Sequence, residues 1–292
     1  MTETTAEGTT GSPLRQRMID QMRIANFAES TQTSYIGEIE HLAKHYKASP
    51  ADLDADQVRA WVLHGIERGL KPATTNVTVA ALKFLYAETL GCPERVAGLR
   101  ARKKPRKLPR HMEEEEVERI ILATPDLRYR AAIVTAYGVG LRISETVAIK
   151  IGDIKSDQKL LHIPSGKGGS ERMAPIPEAV IHYLRGFYKN IWPQPVTWLF
   201  YGASPDMPIR AGDLHLAFKK ARERAGVDSR YTFHCLRHSA ATHLHERGAN
   251  MEVIRDMLGH RRADTTREYA RSTARMFEGL NHPISDFPLL RR

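Results

Sequence analysis

The sequence predicts a mainly α-helical protein of two domains, with a small antiparallel β-sheet in the second. The chain of 292 residues is longer than one typical domain requires. Apolar residues recur at helical spacing over most of it, and a basic, proline-interrupted segment at 99–110 divides it. Strand-like runs at 159–164 and 171–177 flank the glycine-rich turn 165–170.

Composition narrows the class. Hydrophobic residues make up 41% of the chain, enough for ordinary cores, so disorder throughout is excluded. The formal net charge of +10 favours a polyanionic partner. Cys92 and Cys235 stand far apart with no C-x-x-C pattern, which argues against a disulfide framework or a cysteine metal site and for a reducing compartment. There is no basic-then-apolar leader and no apolar run of membrane-spanning length, so no membrane partner is expected. The expected location is the cytoplasm, in association with the nucleoid.

Residues 1–12 read as a small, polar, flexible leader, and 13–99 as a helical bundle. From Pro13, the stripe Leu14, Met18, Met22 and Ile24 marks a first helix. Ser30 or Thr31 is placed to cap a second, in which Tyr35, Ile39, Leu42 and Tyr46 fall at helical spacing. Asp54 or Asp56 opens a third, with Val58, Trp61, Val62 and Ile66 inward and Gly69 as its stop. A fourth runs from Pro72 through Val79, Leu82, Leu85, Tyr86 and Leu90 to Gly91. The linker 100–111 is too polar and proline-interrupted to fold alone; Arg102, Lys103, Lys104, Arg106 and Lys107 suit it to lie along phosphates.

The second domain, 112–292, opens on Glu113 to Glu116, acids suited to a helix N-terminus. Pro125 stands at an early position of the next helix, which carries Leu127, Ala131, Val134 and Tyr137 and is broken by Gly138 and Gly140. The two strands follow, then further helices. A tail from about 270 is long enough for a short helix with Met276, Phe277 and Leu280.

The chemistry-bearing residues are Arg142, Lys167, His234, Arg237, His260 and Tyr269, and singly each has an ordinary structural explanation. His234 and His238 lie one turn apart, but Cys235 stands where a metalloprotease motif needs glutamate. Lys167 is followed by Gly168, whereas a phosphate-binding P-loop needs Ser or Thr there. Neither motif is present.

Order and spacing together carry more. Gly138-Val-Gly-Leu-Arg-Ile-Ser-Glu145 is followed by Gly166-Lys-Gly168 with Arg172 and Pro175. Then come His234-Cys-Leu-Arg-His-Ser239, Leu258-Gly-His260 and Thr265-Thr-Arg-Glu-Tyr269. This series resembles the catalytic domain of tyrosine recombinases, as found in phage integrases and Xer-type resolvases. The resemblance spans about 113–275, while 13–99 is similar, by pattern only, to the family's SAM-like helical core-binding domain. It implies an α+β catalytic domain and a site-specific DNA recombinase acting through a 3′-phosphotyrosyl link, a free 5′-hydroxyl and a Holliday junction. The partners implied are double-stranded DNA with inverted half-sites and further copies of the chain, a dimer on one site and a tetramer in synapsis. Integration, excision or resolution of a mobile element or replicon all fit, with no cofactor and no metal.

Physical chemistry agrees with that implication. Attack on a phosphodiester adds charge to the non-bridging oxygens, which the guanidinium groups of Arg142 and Arg237 are shaped to hold. Tyr269, with an ordinary pKa near 10, needs a cationic site to act as nucleophile. The resemblance makes Lys167 the general acid for the leaving 5′-oxygen, at a glycine-rich turn free to approach DNA. His234 shares a helix face with Arg237 and would assist proton transfer or bond the phosphate; His260, after the helix stop Gly259, would bond a phosphate oxygen. Glu145 is either a partner orienting a catalytic cation or a plain surface ion pair, and His238 is packing or support within the motif. Ser170 departs from relatives that carry a second basic residue in the turn. In relatives the tail packs into a neighbouring subunit; docking on its own domain is the alternative.

Two other activities compete. A type IB topoisomerase would use the same chemistry as a monomer, but the helical domain, basic linker and length favour a recombinase. A regulatory DNA-binding protein without catalysis would have no need of the intact series of catalytic positions. No arm-site-binding domain is evident before Pro13, so a simple recombinase with short inverted half-sites is expected.

Overall fold

The computed structural model describes residues 12–103, 110–164, 171–259 and 282–290. The chain divides into two compact units, Met1–Lys107 and Leu108–Arg292.

In the first unit, α1 (Pro13–Ile24) starts at Ser12, whose hydroxyl accepts the Arg15 N–H. Met18 and Met22 are buried, but Ile24 is 86% exposed and lies off the expected stripe. α2 (Glu29–Tyr46) is capped at Ala28 with no side-chain bond, so neither Ser30 nor Thr31 caps it; both lie inside the helix. Ile36, Ile39 and Leu42 face the core with Tyr35 and Tyr46 against them. At α3 (Ala55–Glu67) the cap is Asp54, whose carboxylate accepts the Gln57 N–H while the Gln57 side chain accepts the Asp54 N–H. α4 (Pro72–Lys83) runs into a π-type turn, Phe84–Thr89, which buries the consecutive residues Leu85 and Tyr86. The Tyr86 hydroxyl donates to the Pro50 carbonyl at 2.7 Å, satisfying a polar group in a fully buried ring.

In the second unit, α5 (Glu114–Leu122) starts at Glu113, whose N–H donates to the Glu116 carboxylate at 3.0 Å. α6 (Leu127–Val139) forms the centre: every residue from Ala131 to Val139 is buried, as expected of a helix surrounded on all sides. Its cap is Asp126, which accepts the Arg128 N–H, so Pro125 stands outside the helix and not in its first turn. After Gly140 comes the short α7 (Ile143–Val147). β1 (Ile154–Lys155), β2 (Leu160–Ile163) and β3 (Arg172–Pro175) then form an antiparallel sheet in the order β1-β2-β3. The sequence reading held the second and third strands; β1, with two residues, is too short for period-two alternation to show. Leu161 and Ile163 of β2, with Arg172 and Ala174 of β3, are buried, whereas His162 and Met173 are half-exposed.

Four helices complete the unit: α8 (Glu178–Asn190), α9 (Ala211–Arg224), α10 (Phe233–Glu246) and α11 (Met251–Leu258). Gly138, expected to break α6, is an interior helical residue: α8 comes so near that an added Cβ would lie 2.6 Å from Val180 Cγ2. Gly140, at φ +68°, ends the helix alone. Residues 282–290 dock on this same unit. Ile284 and Phe287 are buried, the Phe287 ring stacks on Tyr137 with centroids 5.7 Å apart, and Arg247 bridges Glu114 and Asp286. The end of the tail therefore docks in cis; the expected helix with Met276, Phe277 and Leu280 lies outside the described residues. Among those described, Cys92 and Cys235 are free thiols and no helix is long and apolar enough to cross a membrane.

The contact at Gly138 makes a prediction. Alanine there gains about 1 kcal/mol of helix propensity but overpacks a stiff, fully buried valine, a loss of about 1–3 kcal/mol. Gly138→Ala should lower the urea-unfolding free energy, and Val180→Ala in the same background should restore part of it. A stabilised Gly138→Ala single variant would show that α8 yields freely.

Candidate active site

Side chains from α7, β3 and α10 converge on one carboxylate. Gly140, in the left-handed conformation, turns the chain sharply out of α6 and sets Arg142 at the N-cap of α7. Glu145, three residues on, accepts the Arg142 backbone N–H at 2.9 Å and its guanidinium at 2.8 Å. Arg172 reaches the same carboxylate from β3, Nη1 to Oε1 at 2.9 Å and Nη2 to Oε2 at 3.0 Å, two parallel charge-assisted bonds. Arg237 on α10 brings its Nη1 to 3.8 Å from Oε2.

Three guanidinium groups thus share a carboxylate whose side chain is 11% exposed. Burial alone would push the Glu145 carboxyl up. The Arg172 bonds and charge, with the Arg142 bonds, outweigh it and bring the pKa down to about 2. Burial, with the Arg142 charge, lowers Arg237 to about 10, so it stays charged at neutral pH. Among the described residues, three positive groups against one negative leave an excess of two charges. Of the three, Arg142 opens to solvent: its side chain is 43% exposed, against 7% for Arg172 and 3% for Arg237.

Arg237 is held by backbone as well. Its Nη1 donates to the Gly140 carbonyl at 2.8 Å and its Nη2 to the Leu258 carbonyl. These oxygens lie at the C-terminal ends of α6 and α11, where the peptide dipoles favour a cation. Glycine is required at both caps. An added Cβ at Gly140 would lie 2.6 Å from Leu258 Cδ2, and one at Gly259 would lie 2.7 Å from Arg172 Cδ.

His234 lies on α10 one turn before Arg237, exposed, with its ring edge-on to His238 at 4.7 Å. Partial burial, then His238 and the two arginines, lowers its pKa, so at neutral pH the imidazole is uncharged and able to take a proton. His238 is half-buried beside it and shifted down by burial and Arg237. Among the described residues no group of three or more His, Cys, Asp or Glu is arranged to hold a metal ion.

The structure thus brings together Arg142, Glu145, His234, Arg237 and His238. It excludes the reading of Glu145 as a surface ion pair. Lys167, His260 and Tyr269 fall outside the described residues, as do Lys104, Arg106 and Lys107 of the linker. In the first unit, the Arg102 N–H donates to Asn76 Oδ1 at 2.6 Å and its guanidinium to the Leu70 carbonyl at 3.1 Å, so Arg102 is bound to α4 and its approach and is no loose linker cation. Lys103 follows it. Arg172 had no assigned role in the sequence reading; the available signal was strand parity, which puts it on the inward face with Ala174.

The family model described as the phage integrase family matches residues 110–276, and that of the phage integrase N-terminal SAM-like domain matches 14–94. The chain belongs to the phage integrase family. It is a tyrosine-type, site-specific DNA recombinase. It is 34% identical over 288 residues to the Sinorhizobium fredii protein named "Putative integrase/recombinase y4qK", covering 95% of this chain and 92% of that one. The tyrosine recombinase XerA of Pyrococcus furiosus is 33% identical over 71% of this chain and 73% of its own, and XerD of Yersinia pestis 29% over 93% and 98%. The fold of this recombinase is that of a lambda integrase dimer bound to a COC′ core site, at TM-score 0.69 and 20% identity over 85% of this chain and 94% of that one. A lambda integrase tetramer bound to a Holliday junction gives TM-score 0.69 at 19% identity, over 89% and 84%.

The ionised Glu145 should be measurable in stability. Because its pKa is lower folded than unfolded, its contribution is present above the ordinary value of 4.5 and is lost as pH falls through about 2. The Glu145→Gln recombinase should lose on the order of 3 kcal/mol in urea unfolding at pH 7. That difference should close as pH falls from 4.5 towards 2. A difference independent of pH over that range would mean that packing, and not charge, is what the substitution removes.

Proposed function

We propose that this site exchanges DNA strands by transesterification, with Tyr269 as nucleophile and the Glu145-held arginine cluster as the phosphate-binding charge. The single observation that carries the reading is that cluster: among the described residues, three guanidinium groups on one carboxylate, open to solvent at Arg142. Arg142 bonds the non-bridging oxygens directly. Arg237, fixed by the Gly140 and Leu258 carbonyls, stabilises the same developing charge from within the domain. His234, uncharged, assists removal of the phenolic proton, and His260 bonds a phosphate oxygen. The Tyr269 oxygen attacks phosphorus, a 3′-phosphotyrosyl bond forms, and the 5′-oxygen leaves with a proton from Lys167. Attack by the 5′-hydroxyl of another strand reverses the step, so bond energy is conserved and no nucleotide is consumed. Glu145 orients the arginines, and His238 supports His234.

Family membership supports the wider setting: double-stranded DNA with inverted half-sites, a dimer on one site, a tetramer and Holliday junction in synapsis. In this setting 13–99 grips the core site, the linker 100–111 tracks phosphates, and 112–292 cleaves. Integration, excision or resolution of a mobile element or replicon, in the cytoplasm at the nucleoid, is the corresponding task.

Tyr269→Phe should abolish the covalent adduct on a nicked suicide substrate while leaving DNA affinity nearly unchanged, since only the nucleophilic oxygen is removed. An adduct formed by the Phe variant would place the nucleophile elsewhere. For the linker, changing Lys103, Lys104, Arg106 and Lys107 to Gln should weaken binding on all sequences alike. It should also flatten the salt dependence by about 0.9 per lost phosphate contact. An unchanged salt slope would leave the linker a solvated spacer.

A further inference from the structure

Two adjacent charged residues, Glu171 just before β3 and Arg172 at its start, are held on opposite faces of the sheet. Arg172 turns inward to Glu145. Glu171, its neighbour, turns outward: its Oε1 accepts His162 Nε2–H at 2.7 Å, while His162 Nδ1–H donates to Asp153 Oδ1 at 2.9 Å. The register explains the meeting. His162 pairs with Met173, so Glu171 is its diagonal neighbour on the same face. Asp153 is itself fixed in the turn Ile151–Asp153 by accepting the Lys150 N–H at 2.8 Å. Carboxylates only accept, so bonds at both ring nitrogens require both N–H groups, and His162 is an imidazolium between two anions.

Other charges nearby are committed elsewhere. Lys155 on β1 donates to the Gly152 carbonyl, Lys159 pairs with Glu178, and Arg172 faces the other side of the sheet. Asp157, in the turn Ser156–Gln158, is the remaining acid on the elements packed against β2. The His162 bonds tie three places together: the turn before β1, the middle of β2, and the residue that precedes β3. By sequence, the connection that returns the chain from β2 to Glu171 carries Lys167.

We propose that Asp153, His162 and Glu171 form an ionic clasp that sets where this connection rejoins the sheet, making His162 a positioning residue for proton delivery to the leaving 5′-oxygen. This rests on the reading of Lys167 as general acid. Arg172 anchors one face of the rejoining strand to the arginine cluster, and the clasp anchors the other to the body of the domain. Together they fix the point at which the chain re-enters the sheet, at Glu171 and Arg172, from both faces. Burial works against the His162 charge, but the bonds from Asp153 and Glu171 outweigh it and raise its pKa.

The test compares His162→Ala, Glu171→Gln, Lys167→Ala and Arg237→Ala on a nicked suicide substrate with either an ordinary or a sulfur-substituted 5′ leaving atom. A thiolate leaves without a proton, so sulfur restores any variant whose defect is proton delivery. His162→Ala should cleave ordinary DNA on the order of tenfold to a hundredfold more slowly, and Glu171→Gln should be slowed in the same direction; both should regain the wild-type rate with sulfur. Lys167→Ala should be rescued likewise and Arg237→Ala should not. If Lys167→Ala is not rescued, the general-acid reading fails and the clasp with it. If Lys167→Ala is rescued while the clasp variants stay slow with sulfur, or cleave ordinary DNA normally, the clasp alone is overturned. Glu171 is 68% exposed, so Glu171→Gln is expected to fold whatever becomes of His162→Ala. In the NMR titration of the full chain, His162 should titrate above the ordinary 6.5 and move down in Glu171→Gln. A midpoint below 6.5 would also overturn the proposal.

Discussion

Three guanidinium groups repel one another, and the Glu145 carboxylate is what lets Arg142, Arg172 and Arg237 occupy one site. Each element that carries them is held through that contact: the start of α7, the start of β3 and the first turns of α10. The desolvation of a carboxylate with 11% side-chain exposure is offset only because charge-assisted bonds reach it from two sides. The arrangement leaves positive charge in excess, and it leaves that charge open towards solvent at Arg142. A site built to receive a phosphate needs both properties.

The arginines constrain the helices in turn. Arg237 donates to carbonyls at the ends of α6 and α11, so two helix termini meet at one cation. That meeting demands glycine at Gly140 and Gly259, because any side chain there would strike Leu258 or Arg172. α6 can deliver Arg142 so firmly because its second half is buried on all sides, with Gly138 admitting α8 and the chain end 282–290 packed against Tyr137. The chain end 282–290 thus rests on the core that supports the arginines.

β3 joins the two electrostatic systems of the catalytic unit. Glu171, just before it, and Arg172, its first residue, point to opposite faces, one to a histidine held by two carboxylates and the other to a carboxylate held by arginines. The polarity of the two clusters is reversed, and they share no side chain. By sequence, the connection bearing Lys167 leads into Glu171.

Legible in the sequence by itself were the mainly helical class with its small sheet, a helix start at Asp54 or Asp56, the acidic helix start at 113–116, a stop at Gly140 and the family. Those features are written in residues three or four apart, or in an ordered series of short motifs, and need no knowledge of the fold. The sequence reading misplaced the start of α2, the role of Pro125, where the adjacent Asp126 takes the cap, and the break at Gly138, where packing against Val180 keeps the residue inside the helix. Tertiary structure alone decided that Glu145 serves Arg172 as well as Arg142, that His162 sits between Asp153 and Glu171, and that the chain end docks in cis. Arg172 and Glu145 are 27 residues apart, Arg237 and Gly140 97. No periodicity reaches across such separations, because which distant charges meet is set by strand register, helix-end geometry and the cost of leaving a buried charge alone.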